Sequence, residues 1–272
     1  MDLMEEQAMH RHIQRRTVRL CDFTDPSKGG TAVLVKLGDR HFLATAAHVI
    51  PDGHDIRILR DTNKGGPFED FLQRYTDTDN DVGLLEVPVS VATMLDRDFV
   101  ETDQIAIRID NESAIATTLC GYPGQLIETT SKIHYKSLNF RFLTLVTNTI
   151  PQRIWPTEGV LRDFKEGHDL LVRFKNDGEL FHENMKDLGA EPIRSEGPTD
   201  IDLAGMSGCG MWFDYTPAND IWEPQPRLVG IQTSALHKSD GWARGTLIEH
   251  WLNLVAKNYP DLPNYVQRTI VD

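Results

Sequence analysis

The sequence predicts an all-β protein of two packed antiparallel barrels with one α-helix near the C-terminus. Many short apolar strands are punctuated by Gly, Pro, Asp and Asn, and a stretch of little periodicity over 88–111 divides them into two groups. Each group is too small to be a stable sandwich alone, so the two are expected to close and pack together. The helix is read from Leu247, Ile248, Trp251, Leu252, Leu254 and Val255, which recur on one helical face before Pro260.

The elements follow in order. Residues 31–35 lie between the turns Lys28-Gly29-Gly30 and Gly38-Asp39 and predict the first arm of a hairpin. Residues 41–50 predict the return arm, ended by Pro51-Asp52-Gly53. Residues 55–59 alternate as a half-buried strand, and 81–87 form a compact apolar strand entered from the polar run Asp77-Thr78-Asp79-Asn80. The second group comprises 114–119, ended by Gly121-Tyr122-Pro123-Gly124, then 133–150, 169–174 and 227–234. A polar loop or insertion is expected over 176–199.

Composition limits the function classes. With 272 residues, 40% hydrophobic and 25% charged, the chain is an ordinary globular protein with a sizeable core. A net charge of −13 argues against a nucleic-acid partner, which needs a concentrated basic surface. The first 19 residues are polar and lack the apolar run of a signal peptide, and no stretch approaches a membrane span. Cys21, Cys120 and Cys209 make neither a disulfide framework nor a zinc site. A reduced, cytoplasmic protein without cofactor or metal is expected.

The chemistry is concentrated in two distant segments. Ser207 sits in Gly205-Met206-Ser207-Gly208-Cys209-Gly210, where the glycines impose a tight turn and leave amide groups exposed. His48 closes Thr45-Ala46-Ala47-His48, whose small residues allow close packing. A serine hydroxyl is a poor nucleophile at neutral pH and needs a base within reach and a third group to orient that base. His48 is the candidate base. Asp81 is the candidate third group, because it opens its strand and the small Gly83 permits packing behind it. Asp77 and Asp79 sit instead in the preceding turn, where a solvated role is preferred to weak Ca²⁺ binding.

In this order, Thr45-Ala46-Ala47-His48, Asp81-Val82-Gly83-Leu84-Leu85 and Gly205-Met206-Ser207-Gly208 resemble the trypsin-like (chymotrypsin-fold) serine peptidases, with a bacterial-type intracellular member the best match. Gly29-Gly30-Thr31-Ala32-Val33, Gly121-Tyr122-Pro123 and Leu228-Val229-Gly230-Ile231 extend the resemblance over about residues 17–258. It implies two six-stranded barrels in a single domain: 1–16 as an N-terminal tail, 17–100 as the first barrel, 112–245 as the second and 246–258 as the helix. It further implies a His48–Asp81–Ser207 triad, an oxyanion hole from the amides of Gly205 and Ser207, and a substrate-pairing edge at Thr233, Ser234 and Ala235.

The departures are informative. Zymogen-activated members carry an aspartate just before the serine; here that residue is Met206, so activation by N-terminal cleavage is not expected. Cys209 replaces a usual glycine and is read as a packing residue in preference to a nucleophile. Ile201 stands where cleavage after Lys or Arg would need an aspartate, between Asp200 and Asp202, so an apolar or small P1 residue is favoured. The remaining histidines, including His10, His12, His54, His168 and His250, are read as tail, surface or packing residues.

The function expected is that of a serine endopeptidase acting on protein or peptide substrates through an acyl-enzyme. The alternative is a catalytically silent peptide-binding or scaffold module on the same fold. A protease in the cytoplasm must be restrained, so narrow specificity or a regulatory protein partner, engaging the 176–199 insertion, is expected.

Overall fold

The computed structural model describes residues 3–23, 28–59, 68–107, 114–123, 128–129, 138–139, 141–156, 163–173, 179–182, 191–193, 203–213, 225–236 and 241–263. Strands β1 (Thr17–Asp22), β2 (Gly29–Leu37), β3 (Arg40–Thr45), β4 (Ile56–Leu59), β5 (Gln73–Asp77) and β6 (Val82–Val87) form an antiparallel sheet in the order β4-β1-β2-β3-β6-β5. An Ile58–Phe68 bridge helps to curl it into a barrel. The period of two along a strand sorts its side chains between two cores. Ala32 and Leu34 enter the barrel with Val18, Leu20, Leu43 and Leu85. Val33, Val35 and Leu37, on the opposite face, join the apolar layer between the two barrels.

Two helices belong to this half. Helix α1 (Leu3–Gln14) occupies the segment expected to be a polar tail. Its Met9 and Ile13, one helical turn apart, are buried in the inter-barrel layer. Each apolar side chain removed from water in this way contributes about 1.5–3 kcal/mol. The short α2 (Val89–Leu95) lies in the stretch read as non-periodic and stops at Asp96, whose φ of 53° is left-handed. The arm expected over 41–50 is also shorter: β3 stops at Thr45, and Ala47–Val49 make a 3₁₀ turn.

The second half contains β7 (Ala116–Gly121), β8 (Glu128–Thr129), β9 (Leu138–Asn139), β10 (Arg141–Asn148), β11 (Asp169–Arg173), β12 (Glu179–His182), β13 (Glu191–Ile193), β14 (Gly210–Phe213), β15 (Arg227–Leu236) and β16 (Trp242–Leu247). Among the described residues its main sheet has eight strands, in the order β11-β16-β15-β14-β7-β10-β12-β13. A Thr149–Val172 bridge and the Ile150 N–H donating to Leu171 O at 2.7 Å bring the end of β10 back to β11. That contact closes the six expected barrel strands, while β12 and β13 extend the sheet beyond them within the stretch read as a loop or insertion. Strands β8 and β9 pair separately. Leu119, Leu143, Leu145, Leu170, Val172, Met211 and Val229 fill the interior.

Helix α3 (Ile248–Asn258) begins within two residues of its expected start and buries Ile248, Trp251, Leu252, Leu254 and Val255. Trp251 meets Phe42 edge to face at 6.3 Å, and its indole N–H donates to Gly83 O at 3.0 Å. The C-terminal helix is thereby fixed to the strand that follows Asp81.

Candidate active site

His48 lies in the 3₁₀ turn after β3, and Asp81 immediately precedes β6. Antiparallel pairing of these two strands places Thr45 opposite Gly83, which brings their adjoining turns together. The His48 Nδ1–H faces both oxygens of Asp81, at 3.0 Å (Oδ1) and 2.9 Å (Oδ2), and the His48 backbone N–H donates to Oδ1 at 3.1 Å. The two ring contacts face Nδ1 with a carboxylate, which favours the tautomer that leaves Nε2 able to accept a proton, and the backbone contact holds the turn beside it. A Cβ on Gly83 would lie 2.8 Å from Ile50 Cδ1 and 3.2 Å from Ala46 O, so the small residue lets β6 pack against the segment that carries His48.

Asp81 itself has a φ of 50°, in the left-handed region that Asp tolerates better than most residues. The turn before it is built by Asp77. Asp77 Oδ1 accepts from the Asp79 and Asn80 N–H groups, both at 3.1 Å, and Oδ2 accepts from Asn80 Nδ2 at 2.6 Å. The Asp77 carboxylate is thus occupied in shaping the turn.

Ser207 lies between Gly205 (φ 91°) and Gly208 (φ 89°), both in conformations that L side chains avoid. The loop is held from both barrels. Thr31 N–H donates to Ser207 O at 2.8 Å, and Thr31 Oγ1 donates to Gly205 O at 3.0 Å. From the second barrel, Gly208 N–H donates to Gln232 O at 2.8 Å, and Gln232 N–H donates to Cys209 O at 2.9 Å. A Cβ on Gly208 would overlap Thr31 O and Thr45 Oγ1 and lie 3.1 Å from Ala46 N. The serine loop is therefore seated against the segment that leads into His48. Among the described residues, the N–H groups of Gly205 and Ser207 donate to no acceptor.

Met206 is fully buried in the second barrel's core. Where zymogen-activated peptidases use an aspartate and a new N-terminus, this loop is anchored by an apolar side chain. Arg19 of β1, which sequence reasoning missed, is a further anchor. Only 4% exposed, its guanidinium donates to Tyr122 O and reaches Gly205 O at 3.5 Å. Burial lowers its pKa to about 10. A strand pattern alone marks no such role, because Arg19 looks like an outward polar residue. Cys209 is fully buried and its thiol is pushed well above its ordinary value by burial, which suits a packing residue and not a nucleophile.

Thr233, Ser234 and Ala235 continue β15 beyond Ile231, where its pairing with β14 ends; Ser234 and Ala235 pair with Arg244 and Ala243 of β16, and Thr233 is the bulge between Gln232 and Ser234. Ile201, with Asp200 and Asp202, lies outside the described residues. His10 and His12 are in α1 and not in a free tail, and burial lowers both to about 4. His54 pairs with the buried Asp22 at 2.6 Å. No helix among the described residues is long and apolar enough to cross a membrane.

This architecture matches a solved structure. That of the scabies mite inactivated protease paralogue S-I1 aligns with a TM-score of 0.52 at 13% identity, covering 92% of this chain and 97% of that one. The fold is the trypsin-like double barrel. The active form of the Rv3671c protease from M. tuberculosis is similar at a TM-score of 0.48 and 15% identity, covering 95% of this chain and 86% of that one. The serine protease domain of the Sesbania mosaic virus polyprotein is similar at 0.45 and 13%, covering 90% and 91%. No family model matches the sequence, and no curated protein matches it.

Proposed function

We propose that the chain is a serine endopeptidase with His48, Asp81 and Ser207 as its triad. The observation that carries this reading is the three-contact seat of His48 on Asp81, set beside a serine loop bonded to both barrels. Ser207 Oγ attacks the scissile carbonyl carbon while His48 Nε2 takes the hydroxyl proton and Asp81 stabilises the imidazolium. The N–H groups of Gly205 and Ser207 receive the developing oxyanion. The C–N bond then breaks as His48 returns the proton to the leaving amine, and an acyl-serine remains. Water, deprotonated by His48, hydrolyses that ester and regenerates Ser207.

The edge at Thr233, Ser234 and Ala235 takes an extended peptide as an added strand, with Ile201 contributing to the P1 pocket. The substrate is a protein or peptide with an apolar or small P1 residue, and the site of action is a reducing cytoplasm. Buried Met206 favours a loop formed without cleavage. The silent-module alternative has a counterpart in the scabies mite inactivated protease paralogue, but this chain keeps each group the chemistry needs.

Incubating a diverse peptide mixture with wild type and with Ser207→Ala, and mapping new termini by mass spectrometry, tests the proposal. Cleavage confined to wild type supports it. Equal cleavage by both, or by neither, contradicts it.

A further inference from the structure

We infer that Gln232 determines specificity at P1, selecting a short neutral side chain that can donate a hydrogen bond: Ser, Thr or Asn. This rests on the triad proposed above and narrows its preference for a small P1 residue. Gln232 is the residue of β15 that meets the serine loop directly. Gly208 N–H donates to Gln232 O at 2.8 Å, and Gln232 N–H donates to Cys209 O at 2.9 Å. It also immediately precedes the edge at Thr233, Ser234 and Ala235. A peptide that pairs with that edge and sets its carbonyl carbon against Ser207 passes its reacting residue alongside Gln232.

The pairing of β15 with β16 gives the direction of the side chain. Gln232 stands opposite Gly245 and Ala235 opposite Ala243, and residues two apart on β16 share one face. The bulge at Thr233 puts Ser234, opposite Arg244, on the other face. The face of Gln232 is the apolar one: Ala243 belongs to the second barrel's core with Leu203, Met206 and Met211, and Ala235 packs against it. A Cβ on Gly245 would overlap Met211 Sδ. Gln232 therefore carries its amide toward a core whose nearest members on the ribbon are Ala and Gly, and toward Leu203 and Met206 of the segment that holds Gly205.

That amide is unusual in its surroundings. Gln232 is only 1% exposed, and its Oε1 has no hydrogen-bond partner among the described residues. Leu203, Met206, Met211, Ala235 and Ala243 have no side-chain donor to offer it. A buried acceptor left unpaired is destabilising, and Met or Leu at this place would avoid the cost. A donor that arrives with the substrate gives the group a partner. Swinging the flexible Gln side chain toward that donor breaks no hydrogen bond of Oε1. A hydroxyl or an amide both donates and accepts, so it matches the Gln232 amide whichever way round that amide stands. An apolar P1 side chain leaves the oxygen unpaired, which is the strong form of discrimination against a close analogue. A Lys or Arg side chain would bring a charge that a neutral amide in apolar surroundings does not balance.

Two measurements test the inference. In the first, affinities of acetylated tetrapeptides that differ only in the last residue are compared: Ser with Ala, Thr with Val, Asn with Leu, and Arg as a charged control. They are measured on Ser207→Ala, where no turnover occurs, and on Ser207→Ala carrying Gln232→Met. The polar member of each pair is expected to bind Ser207→Ala at least about tenfold tighter, one buried hydrogen bond's worth, and Gln232→Met is expected to bring the ratios to one or below. Ratios are taken within each protein, so a general change in affinity cancels, and those of Ser207→Ala decide alone if Gln232→Met does not fold. Equal or tighter binding of the apolar members, tightest binding of the Arg peptide, binding of none, or unchanged ratios in folded Gln232→Met would overturn the inference. In the second, wild type is labelled with aryl phosphonates of the Thr and Val peptides and with a fluorophosphonate that carries no P1 group. Labelling about tenfold faster by the Thr probe is expected, and equal or faster labelling by the Val probe would overturn the inference. Absence of labelling by all three would instead contradict the triad, while the affinities would still decide the role of Gln232.

Discussion

Acid should loosen the docking of α1, and His10 allows the effect to be measured. His10 is 4% exposed, and burial lowers its pKa from 6.5 to about 4. Between those values the unfolded chain binds a proton that the folded chain does not. The stabilisation is therefore complete above about pH 6.5 and is lost as pH falls toward 4. From pH 7 to pH 5 one such imidazole removes about 2 kcal/mol of stability. At a urea slope of about 3 kcal/mol per molar, the midpoint drops by about 0.7 M. Titrating groups elsewhere contribute equally to a His10→Leu variant, including His12, which is lowered in the same way. The assay is urea unfolding of wild type and His10→Leu at pH 7 and pH 5. The variant should lose about 2 kcal/mol less than wild type between the two pH values. Equal losses would refute the reasoning and place His10 in water.

Three further outcomes follow. Gly208→Ala puts a methyl against Thr31 O and Thr45 Oγ1 at a φ of 89°; fluorophosphonate labelling should fall at least a hundredfold, on the order of losing an oxyanion donor, and a wild-type rate would show that the serine loop is not seated as described. Arg19→Met removes a buried cation of similar volume, so thermal unfolding should change little while labelling falls about fivefold, roughly one hydrogen bond's worth; unchanged labelling would remove Arg19 from the loop's support. Cys209, buried with a raised thiol pKa, should resist iodoacetamide in the native protein at pH 8; rapid alkylation would show it to be accessible.

Much of the first barrel was legible because its strands alternate cleanly between two apolar cores. The segments around His48, Asp81 and Ser207 were legible because tight turns and close packing demand Gly and Ala at fixed positions. Other features left no such trace. β5 is a largely polar edge strand and reads as loop. Helix α1 buries Met9, His10, Ile13 and Gln14 as a narrow stripe in a charged sequence, so it reads as a tail. Arg19 meets partners more than 80 residues away in the chain, and local patterning carries no record of such a contact. Met206 was visible only as a missing aspartate; its burial in the second barrel is what gives that substitution a physical meaning.

The central claim is that Ser207 is a nucleophile activated by His48 on Asp81. Reacting the folded protein with a fluorophosphonate and mapping the adduct by tandem mass spectrometry tests it most directly. The account predicts one phosphonyl group per chain, on Ser207, absent in Ser207→Ala and at least a hundredfold slower to form in His48→Ala. An unmodified Ser207 in folded wild type, or an adduct that persists in Ser207→Ala, would contradict it.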